Sequence, residues 1–166
     1  MTSGRARWLL LVCAAALWVA AVVIAPAYVT GGVGPAPGMR TAAALAYLAG
    51  GRVCHQRPDR SFSTAGVAWP VCGRCAALYA SGLAGLLLAG RRSSGSRLSP
   101  APKVRTVLGI AAVPTASSLV VEWAGLADPG TMLRAVCALP LGAALGWTLG
   151  AAALSSPDGR AIRRPV

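Results

Sequence analysis

Long apolar runs alternate with short polar connections along this chain. Four of the runs approach the roughly 20 helical residues, at about 1.5 Å each, that cross a bilayer core of about 30 Å. They cover about residues 8–28, 71–89, 104–126 and 132–154. The pattern predicts an all-α, polytopic membrane protein with about four transmembrane helices, built as a single integral membrane domain over residues 1–166.

The first run allows two interpretations. Arg5 and Arg7 precede it, and Ala25-Pro26-Ala27 resembles the small-residue site at which signal peptides are cleaved. The run is, however, longer than the apolar core of about 7 to 15 residues in such peptides. We therefore expect that the segment is kept as the first span.

The loop at residues 30–70 is mixed in polarity and opens with a Gly/Pro-rich linker that cannot be a continuous helix. Residues 39–49 within it are apolar but too few to span a membrane, which predicts a short interfacial or re-entrant helix. In the fourth run, glycines recur at intervals of four residues: Gly142, Gly146 and Gly150. This spacing indicates a face on which another helix packs closely.

Composition agrees with a lipid environment. Hydrophobic residues make up 55% of the chain and charged residues 12%, against about 25% charged in an average soluble domain. A water-soluble particle of this size would be left with large apolar patches. The lipid bilayer is therefore the predicted partner, whereas composition does not decide whether the chain binds another protein or a second copy of itself.

The net charge of +12 comes from basic residues that flank the apolar runs. This distribution argues against nucleic acid as a partner, because no basic patch lies on a polar domain. Ten of the sixteen basic residues lie in the amino terminus, residues 90–105 and the tail. Since basic loops stay in the cytoplasm, we expect a multi-pass plasma-membrane protein with both termini cytoplasmic and loop 30–70 extracytoplasmic.

Residues 54–75 contain the only histidine and three of the five cysteines. Cys72 and Cys75 have the Cys-x-x-Cys spacing that binds one tetrahedral ion. Thiolates with an imidazole favour zinc or iron over magnesium or calcium. The pattern predicts a metal site at the extracytoplasmic end of the second span, with four ligands: Cys54, His55, Cys72 and Cys75. The adjacent pair, Cys54 and His55, reaches one ion only if the backbone is irregular there.

Two other interpretations of the cysteines stay open, and with them the question of whether the chain is an enzyme. Cys72 and Cys75 open a helix, whose amino-terminal partial charge stabilises a thiolate. They could be the catalytic pair of a membrane thiol-disulfide oxidoreductase, with Cys54 as the exchanging thiol. Alternatively, Cys54 and one of the pair form a structural disulfide in a non-enzymatic membrane scaffold.

The charged residues near the cysteines suggest further contacts. Glu122 lies in the third predicted span beside Trp123, near its outer end, so we expect an interfacial anchor paired with Arg134 or Arg74. Asp59 could orient His55 or neutralise an arginine. Arg60 and Arg74 are candidates for binding an anionic headgroup or a phosphate.

A set of motifs within about residues 40–150 resembles the signature of a bacterial and archaeal membrane family, catalogued as domain of unknown function 2085. The residues that carry the resemblance are Cys54-His55-Gln56, Pro58, Arg60-Ser61-Phe62, Cys72-x-Arg74-Cys75 and Tyr79. The resemblance implies a small multi-spanning protein with no established activity.

Overall fold

A computed structural model describes residues 3–29, 37–92 and 104–155. The helices, in chain order, are α1 (Ser3–Val29), α2 (Pro37–Val53), α3 (Gly73–Arg92), α4 (Val104–Trp123) and α5 (Gly130–Leu154). Between α2 and α3 lie a 3-10 turn, Pro58–Arg60, and a small antiparallel hairpin of β1 (Ser63–Thr64) and β2 (Val67–Ala68). The prediction of an all-α polytopic protein is confirmed.

Four of the described helices, α1, α3, α4 and α5, are long and apolar enough to cross a membrane, with mean hydropathy from 1.2 to 2.7. Large apolar side chains on their outer surfaces are exposed, among them Leu10, Leu17, Ile110, Val120 and Leu149. Such surfaces are costly in water and natural in lipid, where each helix satisfies its own backbone hydrogen bonds. The chain is a multi-pass membrane protein.

The remaining helix, α2, is longer than the predicted segment 39–49. It has 17 residues, ends at Val53 and packs on α1 through Ala43 and Ala46, which meet Ala25. The spanning helices also differ by a few residues from the predicted spans: α1 already begins at Ser3, α4 ends at Trp123, and α5 begins at Gly130. The ends of a helix are set by local hydrogen bonds, and the hydropathy of the sequence does not have to change at the same residues.

Helices α3 and α5 pack backbone against backbone. A Cβ atom at Gly146 would meet the carbonyl oxygen of Gly82, and one at Gly85 would meet that of Ala143. Small residues at a helix interface allow this approach, and van der Waals contact then stabilises the pair in lipid. The face of α5 that the glycine spacing predicted for helix packing is thus the face that contacts α3.

Polar contacts tie the other helices to this pair. The hydroxyl of Thr115 on α4 donates to the Cys137 carbonyl of α5 at 2.8 Å. The indole of Trp8 on α1 donates to the Leu86 carbonyl of α3 at 2.9 Å. Within lipid these bonds satisfy polar groups that water cannot reach.

Replacing Gly146 by alanine is expected to destabilise the protein, because the added methyl group would meet the Gly82 carbonyl. Overpacking of this kind costs roughly 1–3 kcal/mol. The measurement is thermal unfolding in one detergent. Gly109→Ala is the matched control, since nothing lies within 4 Å of a Cβ atom there, and it should leave the midpoint unchanged or slightly raised. Equal losses in both variants would contradict the α3–α5 contact.

Candidate metal centre

Three sulfur atoms meet at the amino-terminal end of α3. The Sγ atoms of Cys54, Cys72 and Cys75 all lie within 4.8 Å of one another, and all three residues are half-buried. Cys54 directly follows α2, Cys72 directly precedes α3, and Cys75 lies in its first turn. The loop between α2 and α3 therefore returns to its own starting point and closes the cluster.

Hydrogen bonds organise the thiols. The backbone N–H of Cys72 donates to the Cys54 sulfur at 3.2 Å, and the Cys72 carbonyl accepts from the Ala76 N–H at 2.9 Å, which starts the helix. A hydrogen bond from the Cys75 thiol holds the pKa of Cys72 well below its ordinary value, although burial acts in the opposite direction. Since a lowered pKa extends the range of the ionised form to lower pH, Cys72 favours the thiolate at neutral pH.

Gly73 places the start of α3 against α5. A Cβ atom there would lie 2.6 Å from Cγ2 of Thr131 and 3.4 Å from the Phe62 ring. The glycine between the two cysteines of Cys-Gly-Arg-Cys is thus required by packing, because any side chain would push the first turn of α3, and Cys75 with it, away from α5.

Gln56 secures the loop, and sequence reasoning assigned it no role. Its side-chain amide donates to the carbonyls of Tyr47, at 2.6 Å, and Pro70, at 2.9 Å. Its φ of 46° is in the left-handed region that favours glycine. The Tyr47 hydroxyl donates to the Ala68 carbonyl at 2.6 Å, which fixes the hairpin as well. The signals in the sequence were the amide beside Cys54 and His55 and its place in the Cys54-His55-Gln56 motif.

His55 does not join the sulfurs. Its side chain is exposed, and its ring nitrogens are not part of the group of ligand atoms that lie within 4.8 Å. The structure thus brings together three of the four predicted ligands. Adjacent side chains on an irregular backbone diverge, so the turn that directs Cys54 inward directs His55 outward.

The inner side of the thiol cluster is apolar. Cys54 and Cys75 pack with Phe62, Trp69 and Tyr79 around a buried core. The rings of Phe62 and Trp69 meet edge to face at a centroid distance of 5.5 Å. This shell limits the access of water, which strengthens charge interactions at the sulfurs.

A group of charged side chains centred on Glu122 occupies the same end of the protein. One carboxylate oxygen accepts from Nε of Arg134, at 3.2 Å, and from Nη2 of Arg74, at 3.4 Å. The other oxygen pairs with Arg60. Only 9% of the Glu122 side chain and 4% of the Arg134 side chain are exposed. The expected pairing with Arg134 or Arg74 is confirmed, and both arginines take part.

Aspartates complete this charged group at its outer side. Arg134 also donates to Asp128 at 2.8 Å. Asp59 pairs with Arg57 at 3.3 Å and with Arg60 at 3.7 Å. Asp59 was expected either to orient His55 or to neutralise an arginine, and in the structure it pairs with arginines.

Glu122→Gln is expected to lower the free energy of unfolding by about 3 kcal/mol or more, because it leaves largely buried guanidinium groups without their counter-charge. The matched control is Asp128→Asn, since that carboxylate is 77% exposed and should contribute less than about 1 kcal/mol. Chemical or thermal unfolding in detergent measures both. A loss for Glu122→Gln no larger than that of the control would show that Glu122 does not hold these segments together.

Comparison with known proteins gives one match. The model of a family described as "Predicted membrane protein (DUF2085)" matches residues 54–148, more than half of the chain. The matched range begins at Cys54 and contains all three clustered thiols and the charged group around Glu122. No curated protein and no solved structure matches the chain.

Proposed function

The chain belongs to the DUF2085 family of predicted membrane proteins, and we propose that its three clustered thiols bind one metal ion, zinc or iron. The observation that carries the proposal is the mutual distance of at most 4.8 Å between the three sulfurs. Zn–S bonds of about 2.3 Å in a tetrahedral site place sulfurs about 3.8 Å apart. Shifts of an ångström or less would therefore complete three metal–sulfur bonds.

The chemistry of the donors supports the same metals. Thiolates are soft ligands that select zinc and iron over the hard cations magnesium and calcium. The lowered pKa of Cys72 supplies one sulfur in the ionised form that a metal requires. The apolar residues around Cys54 and Cys75 slow the exchange of the ion with water.

We propose His55 as the fourth ligand, because it adjoins Cys54 and is the only histidine of the chain. Its exposed ring would have to turn towards the sulfurs. With His55 bound, the site is closed, as in structural zinc sites. Without it, the fourth position is open to water or substrate, as in catalytic sites.

Elemental analysis of the full chain purified in detergent is expected to find about one zinc or iron per chain. Cys72→Ser should lose the metal, whereas Cys13→Ser, which changes an exposed cysteine on α1, should retain it. His55→Ala distinguishes the two forms of the site. A chelator should remove metal from His55→Ala about tenfold or more faster if the imidazole is a ligand, and at the wild-type rate if it is not.

Metal-free protein with a reducible Cys72–Cys75 bond would contradict the proposal and support the second candidate, a thiol-disulfide oxidoreductase. The low pKa of Cys72 beside a second thiol favours that candidate. The Cys72 thiolate would attack a substrate disulfide and release one substrate thiolate. Cys75 would then displace the other, so that the substrate gains two electrons and the pair is oxidised. A disulfide that includes Cys54 would instead support a scaffold with a structural bridge.

We also propose that loop 30–70 is extracytoplasmic and both termini are cytoplasmic. The basic residues at 90–105 and in the tail support this orientation. The contact of Arg7 with the Ser155 carbonyl at 3.3 Å brings the start of α1 to the end of α5, which supports placing both termini on the same side.

Reporter fusions measure the orientation. Alkaline phosphatase fused after Gly95 should be inactive, and green fluorescent protein at the same position should fluoresce, because residue 95 lies on the cytoplasmic side. The matched fusions after Asp128 should give the opposite result. Active phosphatase after Gly95 would overturn the orientation while leaving the metal proposal untouched.

A further inference from the structure

The charged group around Glu122 contains more cations than anions. Three arginines converge there, namely Arg60, Arg74 and Arg134, which together are termed the arginine cluster. Two carboxylates face them, Glu122 and the exposed Asp128, while Asp59 is shared between Arg60 and Arg57. Largely buried guanidinium groups are costly unless paired, so this excess indicates that the cluster is built to meet another anion.

Hydrogen-bond donors in the cluster also exceed the acceptors. The Nη2 group of Arg74 donates to two acceptors, Ser118 Oγ at 3.1 Å and Glu122 at 3.4 Å. Within the described part of the chain, the buried Nε atoms of Arg60 and Arg74 have no hydrogen-bond partner, and the Arg60 Nε makes only a longer ion pair with Asp59 at 3.7 Å. Each guanidinium presents five N–H groups in a fork that matches an oxyanion. Glu122, Asp128, the shared Asp59 and the Ser118 hydroxyl do not fill three such forks, since both of these Nε atoms are left without a hydrogen bond.

The surroundings place the cluster at the level of lipid headgroups. Trp123 directly follows Glu122 and is 85% exposed, and Leu126 and Met132, further along the chain, are also exposed. An exposed tryptophan at the end of a spanning helix is typical of the membrane–water interface. The Arg60 side chain is 35% exposed, so the cluster is open to the layer in which lipid phosphates lie.

We infer that the arginine cluster binds a phosphate group, either the phosphate of an anionic lipid or free phosphate. Guanidinium groups bind tetrahedral oxyanions through paired hydrogen bonds. A phosphate has enough oxygens to contact Arg60 and Arg74 together while Glu122 keeps Arg134. The interfacial position favours the lipid phosphate. The inference uses none of the thiols and stands independently of the metal site.

The first test uses the full chain in detergent and native mass spectrometry. Bound phosphatidylglycerol is compared with bound phosphatidylcholine for wild type, Arg60→Gln and Arg57→Gln. The Arg57 variant is the matched control, because it removes the same charge from the same loop, and among the described residues the Arg57 side chain pairs with Asp59 alone. Arg60→Gln should weaken the retention of phosphatidylglycerol about tenfold, as expected for a lost charge-assisted hydrogen bond, and Arg57→Gln should leave it nearly unchanged.

The second test needs no variant. Phenylglyoxal modifies accessible arginines, so inorganic phosphate should protect Arg60 of the wild-type chain in a saturable manner and should not protect Arg57. Preferential retention of phosphatidylglycerol identifies the lipid as the source of the phosphate. Protection by inorganic phosphate without that preference identifies a free phosphate.

Two results would overturn the inference: neither effect in the wild type, or equal losses of phosphatidylglycerol in the Arg57 and Arg60 variants. If Arg60→Gln proves unfolded in a thermal scan, the protection of the wild-type arginines decides the question alone.

Discussion

The carboxylate of Glu122 joins three other segments of the chain at one point. It pairs with Arg60 from the loop, Arg74 from α3 and Arg134 from α5, while Glu122 itself lies on α4. At the edge of a membrane, with little water to solvate unpaired charges, these groups stabilise the structure only when all are together. Because Arg74 lies between Cys72 and Cys75, the position of the first turn of α3 depends on the same carboxylate.

The backbone contact of α3 with α5 makes this meeting possible. The glycines of the two helices allow an approach that side chains would prevent. Close approach continues to Gly73, which lies against Thr131 at the start of α5. The ends of the two helices are thereby fixed beside each other, and Arg134 reaches Glu122. Packing of small residues within the span thus determines the geometry of the polar end.

The thiol cluster and the arginine cluster share this end of the protein, and a metal-loaded thiol cluster would be opposite in charge to an arginine cluster that has not bound phosphate. Three thiolates and one divalent ion carry a net charge of −1, while three arginines opposite Glu122 and Asp128 carry a net charge of +1. The two groups are linked through the short segment from Cys72 to Cys75. Opposite charges attract each other more strongly in a medium of low dielectric constant, so the positive charge of the free arginine cluster favours a metal-loaded thiol cluster.

The sequence by itself determined those features that depend on the length of a segment or on the spacing of residues along the chain. The length of each apolar run predicted the four spans, the spacing of glycines on α5 predicted its packing face, and the collection of cysteines around residues 54–75 predicted a cluster of thiols there. The pairing of Glu122 with arginines also followed, because an acid at the end of a span requires a counter-charge.

Only the tertiary structure decided which of those residues meet. Cys54 reaches Cys72 across 18 residues because Gln56, in a left-handed conformation, binds the carbonyls of Tyr47 and Pro70. The same turn directs His55 away from the sulfurs. These outcomes depend on backbone dihedral angles and on contacts between distant segments, and no periodicity or spacing encodes them. Hydropathy determines that a segment enters the membrane, whereas loop geometry determines which side chains form the site.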